Sequence, residues 1–549
     1  MRILVVGGVA GGMSFAARAR RLDESAEIVV FERDPYVSFA NCGLPYYVAG
    51  EISRREDLLL HTPQTLAESL NLDVRIGHEV VGIDRESRTI TVRSATGTQV
   101  EPYDVLVLST GAAPIVPPIE GLDQAAVRSR THVLRSVPDV DAIATLVDGG
   151  ARTAAILGAG FIGLEMAEAL VHRGVTVTLV DLADQVLSPL DPEMARTVQS
   201  ELARAGVDVR LGVSATSIDA ADVTLSDGSR IAADLVVLAI GVRPESDLAA
   251  AAGLELGVRD AIRVDEHSLT SDPHIYAVGD SVEVTNAVTD QVGVVPLAGL
   301  ANRQGRAAAD HLFGRQDHRP PALGTAIVRV FTVTAATTGA SEKVLTAQGV
   351  PHHKVYLHPN DHAGYYPGAS AIHFKLLFSP DGRVLGAQGV GRSGVDKRID
   401  VIATAIRAGM NVDDLAELEL AYAPPFGSAK DPINMAGFMA QNLLRGDVTF
   451  WYGEDLPMLP PASVLLDVRT PREHARSALA DSINIPHTEL RERLDEIPTG
   501  RPVYAYCASG FRSYLAARVL TQRGFEAATL AGGMATMKAW LKIERESAE

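Results

Sequence analysis

The sequence is poor in cysteine, in positive charge and in long apolar runs, and each absence excludes a class of protein. Only Cys42 and Cys507 occur among 549 residues, which excludes a disulfide-framework protein. Lysine and arginine number 50 against 68 acidic residues, and the resulting net charge of −18 disfavours general nucleic-acid binding. No run reaches the ~18–20 apolar residues that a membrane helix needs, so we expect no membrane partner.

The amino terminus also lacks the pattern of an export signal. Met1 and Arg2 lead directly into Ile3–Val6, a run that is typical of a buried strand. We therefore expect a cytoplasmic protein. In that reducing compartment Cys42 and Cys507 would be free thiols, which are more often reactive than structural.

Histidines form no pattern that indicates a metal site. His352 and His353 are adjacent, with no second cysteine nearby, whereas His311, His318 and His358 are scattered. We interpret all of them as structural surface residues and expect no metal.

The composition that remains is that of a folded globular protein. Apolar residues make up 46% and charged residues 21% of the chain, which excludes disorder over most of its length and a collagen-like structure. At roughly 150 residues per domain, the length predicts three or four domains.

Two strand–helix–strand units lie about 150 residues apart, and each is followed later by a strand that ends in glycine, at Gly111 and Gly241. The first unit combines a strand over 3–6, a helix over 11–22 and a strand over 27–32. The second combines a strand over 154–157, a helix over 164–172 and a strand over 175–181. This internal repeat predicts two dinucleotide-binding folds.

The glycine turn of the first unit is an imperfect nucleotide fingerprint. Its glycines are Gly7, Gly8, Gly11 and Gly12, with Val9 where G-x-G-x-x-G has its second glycine. Small residues still allow backbone N–H groups to approach a pyrophosphate, and Glu32 closes the next strand where a carboxylate can accept ribose hydroxyls. Alone, this turn is also compatible with a tight turn that binds nothing.

The glycine turn of the second unit matches the fingerprint fully. Gly158, Gly160 and Gly163 stand between a strand and a helix, and Asp181 ends the following strand. An acid at this position favours a 2′-hydroxyl over a 2′-phosphate. We therefore expect NADH to be preferred, with NADPH still possible.

From residue 1 to about 445 the sequence resembles the FAD/NAD(P)-dependent pyridine nucleotide–disulfide oxidoreductases. Ser109-Thr110-Gly111-Ala112-Ala113-Pro114 is similar to the segment where that family's chain crosses between its FAD and NAD domains. Residues 270–280, which end in Gly279-Asp280, are similar to its second FAD motif. The resemblance implies that Thr110, Gly111, Gly279 and Asp280 contact FAD, with Asp280 on the ribityl chain.

Cys42 lies in Ser38-Phe39-Ala40-Asn41-Cys42-Gly43, where the family carries its redox cysteine. The usual second cysteine, five residues later, is replaced by Tyr47, so no internal disulfide can form there. Cys42 would be oxidised to a sulfenic acid or to a mixed disulfide with a small thiol. This arrangement resembles the single-cysteine NADH oxidases, NADH peroxidases and coenzyme A-disulfide reductases.

Two tyrosine segments, 363–368 and 421–425, favour the reductases within that group. By resemblance, Tyr422 and either Tyr365 or Tyr366 reach the cysteine of the partner subunit and help to protonate a leaving thiolate, which implies a homodimer. The resemblance also places six residues at coenzyme A: Arg18, Arg21, Ser38, Asn41, Asn302 and Lys430. Arg18 and Arg21 share a helix face that suits phosphates, although a solvated face would look the same.

Residues from about 460 to 549 resemble a rhodanese domain. A strand over 503–506 delivers Cys507 into a loop that opens onto a helix, whose amides can stabilise a thiolate or persulfide. Arg512 is expected to add positive charge. The Cys-x4-Arg spacing predicts a cradle for one sulfur atom, whereas a phosphatase would use Cys-x5-Arg.

These observations predict an α/β chain with two Rossmann-like dinucleotide-binding domains, an α+β dimerisation domain and a C-terminal α/β rhodanese domain. The expected boundaries are 1–112 with 245–320 for FAD, 113–244 for NAD, 321–445 for dimerisation, 446–461 for a linker and 462–549 for rhodanese.

The expected function is NADH-driven, FAD-dependent reduction of coenzyme A disulfide, persulfide or polysulfide at Cys42, coupled to sulfurtransfer at Cys507. Two alternatives stay open: an NADH oxidase or peroxidase, and a thiol or sulfur sensor without turnover. Whether Cys507 passes sulfur to Cys42 directly or through coenzyme A also stays open.

Overall fold

The computed structural model describes residues 1–315 and 320–548, with side chains described as far as Leu541. The chain folds into two units. The first comprises Met1–Leu187 and Leu202–Gly324, and the second comprises Ser188–Glu201 and Thr325–Glu549.

The first nucleotide-binding region begins with a parallel sheet in which β7, β1, β2 and β3 are neighbours. Ile3 and Val5 enter one apolar core while Leu4 and Val6 enter the other, which explains the unbroken apolar run of β1. The elements are β1 (Arg2–Val6), α1 (Ala10–Leu22), β2 (Glu27–Glu32), α2 (Leu44–Val48), α3 (Pro63–Leu70), β3 (Asp73–Ile76), β4 (Glu79–Asp84), β5 (Thr89–Ser94), β6 (Gly97–Pro102) and β7 (Val105–Leu108).

The second region contains a parallel sheet in the order β12-β11-β10-β16-β9, in which strands pair in register around β10. Its elements are β8 (Ala112–Pro114), α4 (Ala125–Arg128), β9 (Thr131–Val133), α5 (Val137–Asp148), β10 (Thr153–Leu157), α6 (Phe161–His172), β11 (Thr176–Asp181), β12 (Asp208–Leu211), β13 (Ala215–Ile218), β14 (Asp222–Leu225), β15 (Arg230–Ala232), β16 (Leu235–Leu238), β17 (Val242–Pro244) and α8 (Asp247–Ala251). Between β11 and β12 the chain forms α7 (Pro192–Arg204), most of which belongs to the second unit.

The chain crosses between the two regions at an antiparallel pair formed by β8 and β17. It then returns to the first sheet, where β18 (Ile275–Ala277) pairs with β7. Two short paired strands, β19 (Val284–Thr285) and β20 (Val292–Gly293), and α9 (Ala298–Leu312) complete the first unit. α9 packs against α1 so closely that a Cβ at Gly305 would overlap the carbonyl of Gly11.

The second unit begins with an antiparallel sheet in the order β21-β22-β25-β24-β23. Ser188–Glu201, predicted inside the NAD domain, belongs to this unit. The reason is electrostatic: Lys375 is fully buried and its ammonium contacts Asp191 at 2.8 Å and Glu193 at 2.6 Å. The elements are β21 (Ala326–Val330), β22 (Val333–Gly339), α10 (Glu342–Ala347), β23 (His353–Leu357), β24 (Ile372–Phe378), β25 (Val384–Gly391), α11 (Val395–Arg407), α12 (Val412–Glu417) and α13 (Pro432–Leu444).

The last region is a five-stranded parallel sheet in the order β26-β30-β29-β27-β28. Its first strand lies inside the segment predicted as a linker, because Trp451 is an apolar side chain that is almost fully buried and its strand pairs with β30. The elements are β26 (Phe450–Trp451), β27 (Val464–Asp467), α14 (Pro471–Arg476), β28 (Ile483–Asn484), β29 (Val503–Tyr506), α15 (Phe511–Gln522), β30 (Ala527–Leu530) and α16 (Gly533–Ala548).

The predicted fold class is confirmed by this succession of two parallel nucleotide-binding sheets, an antiparallel sheet and a small parallel sheet. The domain boundaries stay a prediction. Within residues 1–315 and 320–548, no helix is long and apolar enough to cross a bilayer.

Candidate active sites

The glycine turn between β1 and α1 is shaped by close backbone packing. Gly7 has φ +104°, and a Cβ there would overlap the carbonyl of Ser109, whereas a Cβ at Gly12 would overlap the carbonyl of Gly7. Gly11 lies against the Ser109 hydroxyl and Gly8 against Val37. Val9 is the N-cap of α1 and makes no side-chain cap, so the first N–H groups of α1 suit a phosphate.

The second glycine turn has the same construction with one open position. A Cβ at Gly158 would overlap the carbonyl of Ala239, and one at Gly163 would overlap the carbonyl of Gly158. A Cβ at Gly160 would meet nothing within 4 Å. Gly160 is the N-cap of α6 and supplies no side-chain cap, so an open approach leads to free helix amides, as a pyrophosphate requires.

Glu32 ends β2 and Asp181 ends β11, and each carboxylate accepts a hydrogen bond from the backbone of its glycine turn. Glu32 accepts hydrogen bonds from Gly8 N–H at 2.8 Å and Asp34 N–H at 3.0 Å, and burial raises the pKa of Glu32. Asp181 accepts hydrogen bonds from Ala159 N–H at 2.6 Å and from the N–H two residues after it at 2.8 Å. Both carboxylates are therefore held at the positions where ribose hydroxyls are expected.

The residues expected to contact FAD beyond the first turn lie along the chain crossing and after β18. The Thr110 hydroxyl donates to the carbonyl of Glu245, and Gly111 has φ +74°. Gly279 has φ +87°, and its N–H donates to the side-chain carbonyl of Gln304 at 2.7 Å. Burial raises the pKa of Asp280 to about 6, and the positive charge of Arg135 offsets only part of that effect.

Cys42 lies in a single 3-10 turn, Asn41–Gly43, that leads into α2. Ser38 has φ +47°, and its N–H donates to the carbonyl of Gly8 at 2.8 Å, which ties this segment to the first glycine turn. The Cys42 side chain is exposed. Partial desolvation, followed by the negative charges of Glu165 and Asp280, raises the pKa of its thiol.

Glu165 was missed by the sequence analysis. It lies on α6, two residues after Gly163, and its carboxylate accepts a hydrogen bond from the Tyr46 hydroxyl at 3.0 Å. Its charge acts on Cys42. The available signal was its position in the first turns of the helix that follows the second glycine turn.

The residues expected at coenzyme A in the first unit lie mostly on α1 and α9. Asn302 is exposed and accepts a hydrogen bond from the Ser14 hydroxyl at 2.8 Å. Arg21 is exposed, whereas Arg18 forms an ion pair with buried Asp310 at 2.5 Å. Asn41 is exposed beside Cys42, and Lys430 is exposed in the second unit.

Two further arginines of this surface were not predicted. The guanidinium groups of Arg306 and Arg315 lie 3.8 Å and 3.9 Å from Asp310, the carboxylate that also binds Arg18. Three arginines around one aspartate leave an excess of positive charge between α1 and the end of α9, which suits a phosphate ligand. The i+4 spacing of Arg306 from Asn302 could have indicated it.

Of the two candidate tyrosines in 363–368, the structure brings Tyr365 to Tyr422. Their hydroxyl oxygens are 3.2 Å apart, and this hydrogen bond raises the pKa of Tyr365. The ring of Tyr366 packs against His362 instead, with 5.7 Å between ring centroids. Geometry therefore favours Tyr365 over Tyr366 as the partner of Tyr422.

A buried arginine ties the two tyrosine segments together. Arg398 on α11 donates to the carbonyl of Asp361 at 2.8 Å and to the carboxylate of Asp431 at 2.8 Å. Asp361 precedes Tyr365, and Asp431 is the N-cap of α13, next to Lys430. This ion pair, which is shielded from water, joins the chain just before the first tyrosine segment to the start of α13, six residues after the second.

Cys507 lies at the end of β29 in a loop that donates hydrogen bonds to its sulfur, as predicted. The N–H of Gly510 lies 3.2 Å from Sγ and the hydroxyl of Ser513 lies 3.3 Å from it. Thr529 donates in turn to the Ser513 hydroxyl at 2.9 Å, which orients it. The side chain of Cys507 is almost fully buried, so these donors act in a site of reduced water access.

Arg512, which was expected to add positive charge, interacts with both Glu473 and Cys507. Its guanidinium binds the carboxylate of Glu473 with two hydrogen bonds of 2.9 Å and 2.7 Å. This contact is the first cause that raises the pKa of Arg512, and the charge of Cys507 adds to it. Glu473 offsets part of the charge of Arg512, whose guanidinium acts on the Cys507 sulfur together with the donors of the loop.

His358 departs from the surface position that was predicted, since its ring is largely enclosed and its Nδ1 is buried. His311 is partly exposed, and it shares a 2.9 Å hydrogen bond with the Tyr276 hydroxyl while it stacks on His267. His352 and His353 are partly exposed. His318 lies outside the described residues.

Comparison with protein families gives three matches along the chain. Residues 1–305 match the pyridine nucleotide-disulphide oxidoreductases, and residues 325–431 match the dimerisation domain of those enzymes. Residues 456–540 match the rhodanese-like domain.

Two curated relatives match the chain over about 80% of its length. A coenzyme A disulfide reductase from Staphylococcus haemolyticus is 36% identical over 447 residues, which are 80% of this chain and 100% of that protein. An NADH oxidase from Methanocaldococcus jannaschii is 35% identical over 442 residues, which are 79% of this chain and 98% of that protein.

Two solved structures match nearly the whole chain, rhodanese region included. The reduced CoADR-RHD of Bacillus anthracis is 46% identical with a TM-score of 0.97, over 98% of each chain. An NAD-dependent persulfide reductase from A. fulgidus is 39% identical with a TM-score of 0.92, over 98% of this chain and 100% of that one.

Proposed function

Because the chain belongs to the pyridine nucleotide-disulphide oxidoreductase family, we propose that it reduces coenzyme A disulfide or persulfide at Cys42 and transfers sulfane sulfur at Cys507. The observation that carries the proposal is a single exposed thiol, without a second cysteine to pair with, in a chain that also holds a sulfur-binding loop. Such a thiol must be oxidised by a partner molecule.

FAD and NADH fit the two glycine turns. We assign FAD to the turn that contains Gly7 and Gly12, with Glu32, Thr110 and Asp280, and NADH to the turn that contains Gly160, with Asp181 at its ribose. When bound, the pair supplies the two electrons that the reduction consumes. The carboxylate of Asp181 repels a 2′-phosphate, so native kcat/KM should be higher for NADH than for NADPH.

The chemistry of Cys42 follows from its thiolate. The thiolate attacks a coenzyme A disulfide, an S–S bond forms between Cys42 and one coenzyme A, and the other leaves as a thiolate. With a coenzyme A persulfide, the leaving group is hydrosulfide. Two electrons then cleave the mixed disulfide, which returns the Cys42 thiolate and releases coenzyme A.

Coenzyme A binding is assigned to the surface between α1 and α9 and to the segment before Cys42. Arg21 is exposed there and Arg18, Arg306 and Arg315 surround Asp310, which provides cations for phosphates. Asn302, Ser38 and Asn41 complete the proposed contacts of the first unit. Lys430, in the second unit, is kept as a separate predicted contact with coenzyme A.

A homodimer is proposed to complete the site. The match to a dimerisation domain supports it, and so do the exposed aromatic side chains of that region: Tyr365, Tyr422 and Phe426 are 77%, 48% and 72% exposed. The hydrogen-bonded pair Tyr365–Tyr422 could then donate a proton to the leaving thiolate of a partner's substrate.

Two free thiols support a cytoplasmic location.

Parallel assays of Cys42→Ser and Cys507→Ser test the proposal. Cys42→Ser should retain FAD and lose NADH-driven reduction of coenzyme A disulfide by several orders of magnitude, since a covalent nucleophile is removed. Cys507→Ser should keep that reduction near normal and lose sulfur transfer from thiosulfate or polysulfide.

Mass spectrometry of the intact, non-reduced protein separates the proposal from the oxidase alternative. We expect a coenzyme A adduct on the Cys42 peptide, whereas an oxidase or peroxidase would carry a sulfenic acid there. A Cys42 variant with more than about a tenth of the native rate would contradict covalent catalysis. Absence of any NADH turnover with thiol substrates would indicate a sensor.

A further inference from the structure

We infer that His358, directly after β23 of the antiparallel sheet, positions the Cys507 loop of the rhodanese region through Thr536. The inference rests on the proposed role of Cys507 and assigns part of that site to a residue outside residues 456–540. Nε2 of His358 lies 2.9 Å from Oγ1 of Thr536, which is buried on α16. The two regions of the second unit are therefore joined by a polar contact between enclosed side chains.

The imidazole of His358 is held in one orientation. The ring of His373 packs edge-on against it with 4.7 Å between centroids, and Nδ1 is buried without a hydrogen-bond partner among the described residues. Burial, followed by His373, lowers the pKa of His358 to about 3, so the ring is neutral at physiological pH. A neutral, enclosed ring with Nε2 directed at Thr536 makes a fixed contact.

A double-glycine turn at the start of α16 connects this contact to the Cys507 loop. Gly532 and Gly533 have φ +67° and +60°. A Cβ at Gly532 would overlap the hydroxyl of Thr536, lie 2.9 Å from Cβ of Tyr356 and lie 3.0 Å from Nε2 of His358. The turn is thus held between the end of β23 and α16.

The residues that follow this double-glycine turn donate hydrogen bonds to carbonyl groups of the Cys507 loop. Met534 N–H donates to the carbonyl of Cys507 at 2.8 Å, and Ala535 N–H donates to the carbonyl of Ala508 at 2.9 Å. Carbonyls directed at α16 leave the Gly510 N–H free to face Sγ. A shift of α16 by a fraction of an ångström would change the donors that stabilise a thiolate or persulfide.

The test compares His358→Leu and Thr536→Val with the conservative variants His358→Gln and Thr536→Ser, all in the full-length holoenzyme. We expect Leu and Val to lower kcat for sulfur transfer about tenfold with little change in KM, because the loop donors are misaligned while its entrance is intact. Gln and Ser should keep kcat within about twofold. The double variant should lose no more than His358→Leu alone, since that substitution already removes the Thr536 contact together with the hydrogen bond of His358 to the Gly532 backbone.

Two further measurements make each outcome decisive. Coenzyme A disulfide reduction and FAD content should stay native in all four variants, which shows that the fold is intact. Amide hydrogen exchange over 507–513 should accelerate in His358→Leu and not in His358→Gln, and this readout needs no turnover. If the native protein transfers no sulfur, the proposed function fails while exchange still tests the contact. Native kcat and exchange in His358→Leu, or equal losses in Leu and Gln, would overturn the inference.

Discussion

The two cysteines of this chain sit in opposite surroundings. Cys42 is exposed on a short turn, and the charges of Glu165 and Asp280 disfavour its thiolate. Cys507 is buried, and the Gly510 N–H and the Ser513 hydroxyl point at its sulfur. One site presents carboxylates to its sulfur, and the other presents hydrogen-bond donors.

From this difference we infer that the Cys42 site is completed by other molecules, whereas the Cys507 site is built from residues of this chain. In the proposed function, Cys42 needs a nucleotide pair, a coenzyme A substrate and a partner subunit before its chemistry is complete. The donors of Cys507 are backbone and hydroxyl groups of its own loop, held by α15, α16 and β30. Substitutions at the Cys507 loop should therefore act on sulfur transfer alone, whereas those around Cys42 should act on nucleotide-dependent reduction.

The largest effect is expected for Gly533→Ala. A Cβ at this position would lie 2.6 Å from the Cys507 carbonyl and 2.7 Å from the amide nitrogens of Ser509 and Gly510, and the residue has φ +60°. The loop must shift, so sulfur transfer should fall about 100-fold or more while coenzyme A disulfide reduction stays near native.

Gly500→Ala is the matched control. Gly500 also has positive φ, +72°, in the same region, but its Cβ would meet nothing within 4 Å. It should cost about 1 kcal/mol of stability from backbone strain and leave sulfur transfer unchanged. Equal losses of sulfur transfer in both variants would show that strain, and not the loop contact, is responsible.

Asp280→Asn, at the Cys42 site, should have two opposite effects: it should weaken FAD binding and stabilise the FAD-free protein. Loss of a charge-assisted contact should weaken FAD binding about 10- to 100-fold, measured from flavin absorbance after dilution. In the FAD-free protein, the pKa of Asp280 is raised to about 6 from 3.8, so its folded form binds more protons than the unfolded form between pH 4 and 6. Native stability is therefore diminished as the pH rises through that window.

Asp280→Asn removes the carboxylate whose ionisation lowers the stability of the FAD-free protein. At pH 7, unfolding of FAD-free Asp280→Asn should need up to about 3 kcal/mol more free energy than the native chain, and below pH 4 the two should agree. Urea unfolding at both pH values measures the difference. A variant that is destabilised at pH 7 would show that Asp280 is not a poorly solvated carboxylate.

Ser513→Ala should lower sulfur transfer about tenfold. It removes a hydroxyl donor from the Cys507 sulfur, and hydrogen bonds to charged groups contribute roughly 1.5–3 kcal/mol. Thr529→Val, which removes the group that orients Ser513, should have a smaller effect in the same direction. A native rate in Ser513→Ala would indicate that the Gly510 N–H alone stabilises the sulfur.

The smallest effect is expected for Glu165→Gln, measured in the Cys507→Ser background where Cys42 is the only thiol. Glutamine keeps an acceptor for Tyr46 but removes the charge that raises the pKa of Cys42, so more thiolate is present at neutral pH. Alkylation of Cys42 at pH 7 should accelerate about two- to tenfold. An unchanged rate would mean that Glu165 does not disfavour the thiolate, which leaves burial and the charge of Asp280 as the causes.

Local patterns predicted a large part of both sites. Gly158, Gly160 and Gly163 lie in the strand-to-helix turn that their spacing indicated, because such a turn is a local structure, and their contacts with a nucleotide stay a prediction. The same holds for Cys507, which lies where β29 opens onto α15. The role of Asp181 at a ribose stays a prediction, although its hydrogen bond from the Ala159 N–H of the glycine turn agrees with it.

Contacts between residues distant in the chain could not be predicted in this way. The pairing of Arg512 with Glu473 joins residues 39 positions apart, and it offsets part of the positive charge that the spacing suggested for Arg512. The choice of Tyr365 over Tyr366 depends on Tyr422, 57 positions away. His358 was predicted on the surface because its partner, Thr536, lies 178 positions further on.

The sequence by itself determined the order of the folds, the two glycine turns and the two thiols, since each depends on residues close together in the chain. The tertiary structure alone decided which charges are neutralised, which tyrosines meet and what holds the Cys507 loop. The physical reason is that the electrostatic state of a group is set by the neighbours that desolvate it or bond to it, and packing brings those neighbours from anywhere in the sequence.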